Sequence, residues 1–547
     1  MAMIPLSEQE WKVPAETARI VQALLPANHP YRVLREQLGN IYRDEVFADL
    51  YGWHGPAAES PGRLALVVVL QFAEGLTDIQ AADAVRTRLD WKYLLGLELT
   101  DPGFDASVLS EFRTRVVDGE AAERLLNVLL EALRARGLLA GHAVQRTDST
   151  HVLHAVRDLN RLEMVGETLR AALNALAEDI PDWLQAHVPP VWYERYAQRF
   201  EQYRLPHVEA ERQALAEQIG ADGISLWEAL GADVRQVPAL QVLRRVWLQN
   251  FTQDEGLVHW REKDNIPPAA QAIITPFDVE SRYSHKRDMD WKGFKVHVTE
   301  TCGPGGPHLI THVTTTLATQ QDVEQTAAVQ QALQKQDLLP REHIVDTGYM
   351  STALLVSSTA RGVDLVGRLL PDHSPQARSH PAYAAAEFHV DWQAHVVTCP
   401  QGKRSQRWSQ RDQTRPAHVR FAPADCAACP AREECVRSAR PDRPRTLELQ
   451  ARPHYEAQQA ARAYQHSAEF KARYARRAGV EATLSLAVRA FDLRASRYIG
   501  LAKTHLQQVA ISAAINLQRF TDWVTGTGAK RGRYSAFTAL QPQTLAT

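Results

Sequence analysis

The stretch Gly293-Phe-Lys-Val-His-Val-Thr-Glu300 is followed, across Cys302-Gly-Pro-Gly-Gly-Pro307, by His308-Leu-Ile-Thr-His-Val-Thr-Thr315. Both runs are rich in β-branched residues, and the Gly- and Pro-rich connection favours a turn, so the pair predicts a β-hairpin. Two more short runs end on aspartates, His142-Ala-Val-Gln-Arg-Thr-Asp148 upstream and Glu342-His-Ile-Val-Asp346 downstream. Strands separated by helical stretches predict an α/β fold for this part of the chain.

The N-terminal region, residues 1–140, predicts an all-α domain. Apolar residues recur there at three- and four-residue spacing over 61–76, 78–97 and 106–139. Capping signals at Asp78 and at Asp105-Ala-Ser107 stand before helical runs. Short helices joined by capped turns resemble a DNA-reading helix-turn-helix, although any small helical bundle gives the same pattern.

The rest of the chain divides into four parts. Residues 141–365 predict the first part of the core, with a helical insertion at about 158–268 and a helix over 323–336 ahead of the strand that ends at Asp346. Residues 366–455 are rich in Pro, Arg and Cys and predict an insertion with its own organisation. Residues 456–525 predict C-terminal helices that complete the core, from amphipathic runs at 454–493 and 501–524, and residues 526–547 predict a tail.

Composition and charge narrow the class of protein. The length of 547 residues, with 45% hydrophobic and 23% charged residues, is typical of a multidomain globular protein. The first residues have no signal-peptide pattern and the longest apolar stretch, 64–72, is too short to cross a bilayer, so we expect a cytoplasmic protein without membrane association. Residues 401–547 carry 25 Lys and Arg against 11 Asp and Glu, an excess that fits a polyanion partner and a merely solvated basic surface equally well.

Three acids form the set that carries chemistry: Asp148 and Asp346, each at a predicted strand end, and Glu481, on a predicted helix with few other acids. Neighbouring strands of one sheet hold their carboxylates close together, and a helix packed on the sheet adds a third. Two Mg²⁺ ions about 4 Å apart on such carboxylates activate an attacking oxygen and stabilise a leaving one. Taken singly, each acid is more often a cap, a turn residue or a surface charge.

Three motifs carry a resemblance to a known family. Thr147-Asp148-Ser-Thr, Tyr283-Ser-His-Lys286 ahead of Gly293-Phe-Lys295-Val-His297, and Val345-Asp346-Thr-Gly-Tyr349 resemble the first-Asp, hairpin and second-Asp motifs of bacterial insertion-sequence transposases with an RNase H-like DDE domain. Residues 59–116 are also similar to the helical N-terminal domain of such transposases, so the resemblance spans nearly the whole chain. It implies an RNase H-like core, two Mg²⁺ or Mn²⁺ ions as cofactors and double-stranded DNA as partner.

The third acid lies in Tyr474-Ala-Arg-Arg477-Ala-Gly-Val-Glu481, which resembles the family's Tyr-x2-Arg-x3-Glu element. At three- and four-residue spacing, Tyr474, Arg477 and Glu481 are expected on one helical face. The family has a Lys seven residues after the Glu, whereas this chain has Val488 there and Arg489 one residue later, off that face. Tyr474, Arg477 and Arg489 are therefore expected to contact DNA.

The predicted hairpin region adds two further DNA contacts, Lys286 and Lys295. Their alternative is an ordinary polar strand face, which would have the same sequence. Trp291 is able to stack on a displaced base, but a hairpin aromatic is more often a packing residue.

Four of the five cysteines fall close together in sequence: Cys399, Cys426, Cys429 and Cys435. Four thiolates at such spacing fit tetrahedral Zn²⁺. The alternative is a set of free buried thiols, because one CxxC with two single cysteines is less specific than two CxxC pairs. Cys302, in the predicted turn, has no such neighbours.

These features predict a DDE transposase that cleaves DNA at insertion-sequence ends with Mg²⁺ and transfers the freed strand into target DNA. A homodimer is expected because two element ends must be held together, and the resemblance implies a bacterial, nucleoid-associated protein. The alternatives are a catalytically silent DNA-binding protein derived from a transposase, and a nuclease without strand transfer. Asp278, Asp322 and Glu469 are the substitutes if one acid is misassigned.

Overall fold

The N-terminal region is helical. The computed structural model describes residues 2–440 and 442–527, and its first helices are α1 (Ala15–Leu24), α2 (Pro30–Leu38), α3 (Pro61–Glu74), α4 (Asp78–Thr87), α5 (Leu89–Leu95), α6 (Ser107–Asp118) and α7 (Arg124–Ala135). The segment predicted over 78–97 is split at Arg88, whose backbone is extended and whose side chain pairs with Glu74 and Asp90. The segment predicted over 106–139 is split at residues 119–123.

The turn between α3 and α4 has the geometry of the predicted helix-turn-helix. Gly75 ends α3 in the left-handed conformation at φ +70°, and Thr77 and Gln80 form a capping box that starts α4. The two helices meet at 111°, within the roughly 90–120° of that motif. Helix α3 is buried, whereas α4 leaves Ile79 and Arg86 exposed, so the second helix presents a face to solvent.

Strand β1 (His142–Leu153) opens the central sheet and is followed by a mostly helical insertion. The insertion contains α8 (Arg161–Asp179), α9 (Pro181–His187), α10 (Pro190–Tyr196), α11 (Glu209–Ala229), α12 (Pro238–Asn250) and a hairpin of β2 (Phe251–Asp254) and β3 (Leu257–Trp260). It has its own core, in which Leu169, Ile219 and Val246 are fully buried.

The chain then returns to the sheet. The elements of this part are β4 (Arg282–Lys286), β5 (Met289–Thr301), β6 (Ile310–Leu317), α13 (Gln325–Lys335), β7 (Pro340–Val345), α14 (Thr352–Ala360) and β8 (Asp364–Val366). Strand β5 pairs antiparallel with β4, β6 and β1, which confirms the hairpin predicted from Gly293 onwards. Strand β7 pairs parallel with both β1 and β8, so the strands run in the order β6-β5-β1-β7-β8 and the mixed α/β prediction is confirmed.

The Cys-rich region forms small sheets and short helices. Its elements are α15 (Pro375–Ser379), β9 (His389–Asp391), β10 (Val396–Thr398), β11 (Arg407–Ser409), β12 (Ala417–Arg420), α16 (Pro423–Ala427), α17 (Arg432–Cys435) and β13 (Thr446–Leu449). Strand β9 pairs with β10, and β12 lies between β11 and β13. A small core that includes Phe388, Val397 and Phe421 holds this module together.

The C-terminal part consists of α18 (Arg452–Tyr464), α19 (Ala468–Ala475), α20 (Ala478–Ala490) and α21 (Leu501–Thr525). The single amphipathic run predicted over 454–493 is wrong, since it is broken at 465–467 and again at 476–477. Helix α21 is buried along most of its length and packs on β6, α3 and α7. One hydrophobic core therefore joins the N-terminal helices, the sheet and the last helix.

In the described ranges no single helix is long and apolar enough to cross a membrane; α3 and α4 meet that test only as a bent pair. The predicted tail, 526–547, lies outside the described residues except for Gly526 and Thr527.

Candidate active site

Strand register brings two of the predicted acids together. Strands β1 and β7 are parallel, with Thr147 opposite Val345, so Asp148 and Asp346 are the next residues along neighbouring strands. The sequence predicted that the first strand ends at Asp148, which is wrong: β1 continues to Leu153 through its pairing with β5. Asp148 therefore projects from the middle of a strand, whereas Asp346 follows the end of β7.

Asp148 lies in a crowded and charged environment. Its side chain is 15% exposed, and it accepts hydrogen bonds from the N–H of Ser149 at 2.8 Å and from Nη1 of Arg477 at 3.0 Å. Burial raises the pKa of the Asp148 carboxyl and the nearby charge of Asp346 adds to that rise, while Ser149 and Arg477 oppose it. Two carboxylates this close form a site that favours a neutralising cation.

The Tyr474-to-Glu481 element reaches the same place. The hydroxyl of Tyr474, on α19, donates to Oδ1 of Asp346 at 3.3 Å. Arg477 stands at the start of α20 and pairs with both Asp148 and Glu481, so it links the third acid to the first. The continuous helix predicted here is wrong, because two turn residues separate α19 from α20, yet the three side chains converge. Glu481 is 57% exposed, in the first turn of α20.

A buried ionic network fixes α20 against the sheet. Glu300 of β5 is fully buried and accepts from Arg146 Nε at 2.8 Å, Arg519 Nη1 at 2.8 Å and Thr483 Oγ1 at 2.7 Å. Arg146 also donates to the backbone oxygen of Arg476, and a Cβ placed at Gly479 would overlap its guanidinium. Because β1, β5, α20 and α21 all contribute, this network sets where Glu481 stands. Sequence reasoning missed it, although a glycine inside a helical motif was a signal of close approach.

A second network lies beside the two aspartates. Asp322, just after β6, pairs with Lys295 Nζ at 3.0 Å and accepts from the hydroxyl of Ser149 at 3.3 Å. His297 hydrogen-bonds Tyr349 at 2.6 Å, and burial lowers the pKa of His297 to about 3. Asp322 was expected only as a substitute acid; its position next to Ser149 makes it a neighbour of the site.

Lys295 is therefore engaged inside the protein. Its side chain is 12% exposed and also donates to the backbone oxygen of Gln320 at 2.8 Å. Lys286 lies at the exposed end of β4, and its positive charge opposes the rise in the pKa of Asp148. Its position therefore fits the expected contact with DNA better than that of Lys295. Trp291 is buried and packs near His151, so it is not available to a base in this structure.

The end of α20 differs from the predicted face. Val488 is half-buried and packs on the main core, whereas Arg489 is exposed like Glu481 and donates to the backbone oxygen of Ser485 at 3.2 Å. Arg489 was expected to lie off the helical face that carries Tyr474, Arg477 and Glu481. In the structure it is exposed on α20, as Glu481 is. The exposed surface of this helix thus carries the third acid and a cation two turns apart.

The two remaining substitute acids, Asp278 and Glu469, form hydrogen bonds to groups outside the candidate site. Asp278 is buried and accepts backbone N–H groups of Glu280, Ser281 and Gly500 at 3.3 Å each. Glu469, in the first turn of α19, accepts from the hydroxyl of Tyr464 at 3.1 Å. Neither contacts Asp148 or Asp346 through any of these bonds.

The donor set at the sheet suits a hard divalent cation. Carboxylate oxygens are the ligands that Mg²⁺ prefers, and Asp148, Asp346 and Glu481 supply them within one side-chain network. Within residues 2–440 and 442–527 no three His, Cys, Asp or Glu side chains already stand at coordinating spacing. Arg477 forms ion pairs with both Asp148 and Glu481. For these two acids to bind the same metal ion, Arg477 must release one of them.

Two parts of the chain match known protein families. The family model described as a transposase DDE domain matches residues 398–521, and the model described as transposase domain (DUF772) matches residues 19–115. Together the two matches support an insertion-sequence transposase. The first match runs from the Cys-rich module through Glu481 into α21, and the second runs from within α1 into α6. No curated protein and no solved structure matches the chain. A DDE transposase domain implies nuclease and transferase activity on DNA in general terms.

Proposed function

We propose that Asp148, Asp346 and Glu481 are the catalytic acids of this transposase, in an RNase H-like core. The observation that carries the proposal is the convergence of Asp148 and Asp346 on neighbouring strands with Arg477 and Tyr474 bound to them. The strand order β6-β5-β1-β7-β8, with three antiparallel strands and then two parallel ones, supports the RNase H-like assignment.

Two Mg²⁺ or Mn²⁺ ions held by these three acids would activate the attacking oxygen and stabilise the leaving oxygen of the scissile phosphodiester. The chain's own residues position the DNA. Arg477 has a planar guanidinium able to bind a phosphate through two parallel hydrogen bonds when it releases one carboxylate. Tyr474 holds Asp346, and the Glu300 network holds α20 so that Glu481 faces the site.

DNA contacts are proposed for the exposed cations around the acids. Arg489 and Lys286 flank the site on α20 and β4, where a phosphate backbone would lie across the carboxylates. Lys295 takes part through Asp322, which it holds beside Ser149. Helix α4, with its solvent face, is proposed to read the element ends in the N-terminal region.

The proposed reaction has two in-line displacements. Water first breaks the phosphodiester at the element end and leaves a 3′-hydroxyl; that hydroxyl then attacks a target phosphodiester, so one bond forms as another breaks. Since two ends must be cut and joined together, the active species is proposed to be a homodimer.

An assay with purified protein, DNA carrying candidate inverted repeats and a target plasmid tests this function. Cleavage at the ends and joined products, both dependent on Mg²⁺, are expected. Cleavage without joining would favour a nuclease, and end binding without cleavage would favour a catalytically silent DNA-binding protein. Sedimentation of the protein with and without end DNA tests the dimer.

A further inference from the structure

The Cys-rich module gathers four thiols from separate segments around one small cavity. Cys399 follows β10, Cys426 and Cys429 lie in and after α16, and Cys435 ends α17. All four line a cavity of about 30 Å³, whose other lining residues include Phe388 and Phe421 as well as Lys403, Asp425 and Arg432. None of the chain's five cysteines forms a disulfide. We propose that these four thiolates bind one structural Zn²⁺ ion per chain.

The local backbone holds two of the four cysteines in place. Cys399 opens a tight turn in which Gly402 takes φ +76° and the N–H of Lys403 donates to Sγ of Cys399 at 3.3 Å. On the other side, the N–H of Arg445 donates to Sγ of Cys426 at 3.4 Å. Backbone N–H groups that donate to sulfur orient a cysteine side chain, and such contacts hold metal-binding cysteines in position.

The size and composition of the cavity favour a metal ion over other contents. A cavity of about 30 Å³ holds little more than an ion or one or two waters. Water there needs two to four polar partners, whereas Zn²⁺ is satisfied by four sulfurs at about 2.3 Å. Among the described residues the four sulfurs do not stand at coordinating spacing, so binding of the ion requires them to move closer together.

The module needs such a cross-link. Its hydrophobic core has only seven buried members, including Val397, Phe421 and Leu449, and small cores are commonly completed by metals or disulfides. The ion would join the segment after β10 to the segment that contains α16 and α17, and the N–H of Arg445, directly before β13, already contacts Cys426. Strand β13 leads within two residues into α18, the first of the helices that end at Glu481. The ion therefore would fix the base of the arm that carries the third acid.

Elemental analysis of the full-length protein, purified without chelators, tests the proposal independently of DNA cleavage. About one Zn²⁺ per chain is expected, falling to near zero in Cys429→Ser and unchanged in Cys302→Ser, whose thiol is buried outside the cluster. Misfolding of Cys429→Ser would also release zinc. The second measurement is therefore a titration of the unaltered protein with a mercurial reagent, which reacts with thiols. Zinc released in step with four thiols supports the site.

Three results would overturn the site. The first is unaltered protein that lacks zinc and takes up none after reduction. The second is zinc that persists when Cys399, Cys426, Cys429 and Cys435 are all changed to Ser. The third is iron bound in place of zinc, which would show that the proposed identity of the ion is wrong.

Discussion

The carboxylate site and the cysteine cluster are two polar clusters in one chain, held in place by different means. Asp148 and Asp346 are set by the register of β1 and β7, deep in a sheet whose core extends from the N-terminal helices to α21. The four cysteines depend on turns and short helices over a small core. The difference teaches that strand register alone brings the two aspartates together, whereas the cysteine module is expected to be completed by its ligand.

The largest effect is expected from changing the acids to amides. Asp148→Asn, Asp346→Asn and Glu481→Gln should each reduce cleavage and strand transfer by at least about 100-fold, because a misplaced attacking oxygen loses its alignment. Folding and end binding should be nearly unchanged, since the amide is almost isosteric. Gel assays of cleavage, alongside thermal unfolding and end binding, make the measurement.

Asp492→Asn is the matched control, because Asp492 is exposed and its left-handed φ of +52° suits asparagine. It should cleave normally. If Asp346→Asn retained substantial Mg²⁺-dependent cleavage, Asp346 would not be a catalytic acid, and Asp322 would become the next choice. Zinc content should be the same in all four variants, which keeps the two clusters separate.

The next effect tests how rigidly the sheet holds α20. Gly479→Ala places a Cβ against the guanidinium of Arg146, which is buried and bound to Glu300, so neither partner yields easily. We expect a loss of about 1–3 kcal/mol in the free energy of unfolding, with weaker cleavage and unchanged zinc. Gly231→Ala is the control, since nothing lies within 4 Å of its Cβ position. Equal stability of both variants would show that Arg146 moves freely.

Sequence alone indicated the three candidate acids but not the contacts that position them. Asp148, Asp346 and Glu481 lie in short motifs, and the strands beneath two of them follow from local β-branched runs. The extent of β1 was underestimated because Asp, Ser, Thr and His residues in its second half pair with β5 rather than with an apolar layer. Pairing of β1 with β7 joins residues nearly two hundred positions apart, and no local pattern reports it.

The same limit explains the residues whose surroundings differ from expectation. Lys295 was predicted to contact DNA because it lies in a strand with alternating polar residues. In the structure it pairs with Asp322, which the turn after β6 brings beside it. No local pattern marks Glu300, although Arg146 and Arg519 contact it from β1 and α21. Buried ion pairs between distant elements are visible only once the fold is known. The cysteines were easier, since their spacing is local.

A smaller effect is expected at Arg477. Arg477→Ala should lower cleavage about tenfold, equivalent to roughly 1.4 kcal/mol, while end binding falls less, because the guanidinium links Asp148 and Glu481 and is placed to orient a phosphate. Arg477→Lys keeps the charge but not the two parallel hydrogen bonds, so it should restore binding more than cleavage. Equal losses of binding and cleavage in Arg477→Ala would make it a general anchoring charge.

The smallest effect is expected at Arg489, which tests whether the solvent side of α20 meets DNA. Its side chain is exposed and donates to the carbonyl of Ser485, so Arg489→Ala should leave stability and zinc content unchanged. One lost phosphate contact should reduce the dependence of log affinity on log salt by about 0.9, with a few-fold weaker end binding at low salt. Binding isotherms at several salt concentrations measure this slope, and Arg452→Ala, an exposed arginine on α18 paired with Glu456, is the control. An unchanged slope for Arg489→Ala would remove this cation from the DNA path and leave Lys286 and Arg477 as the cations beside the acids.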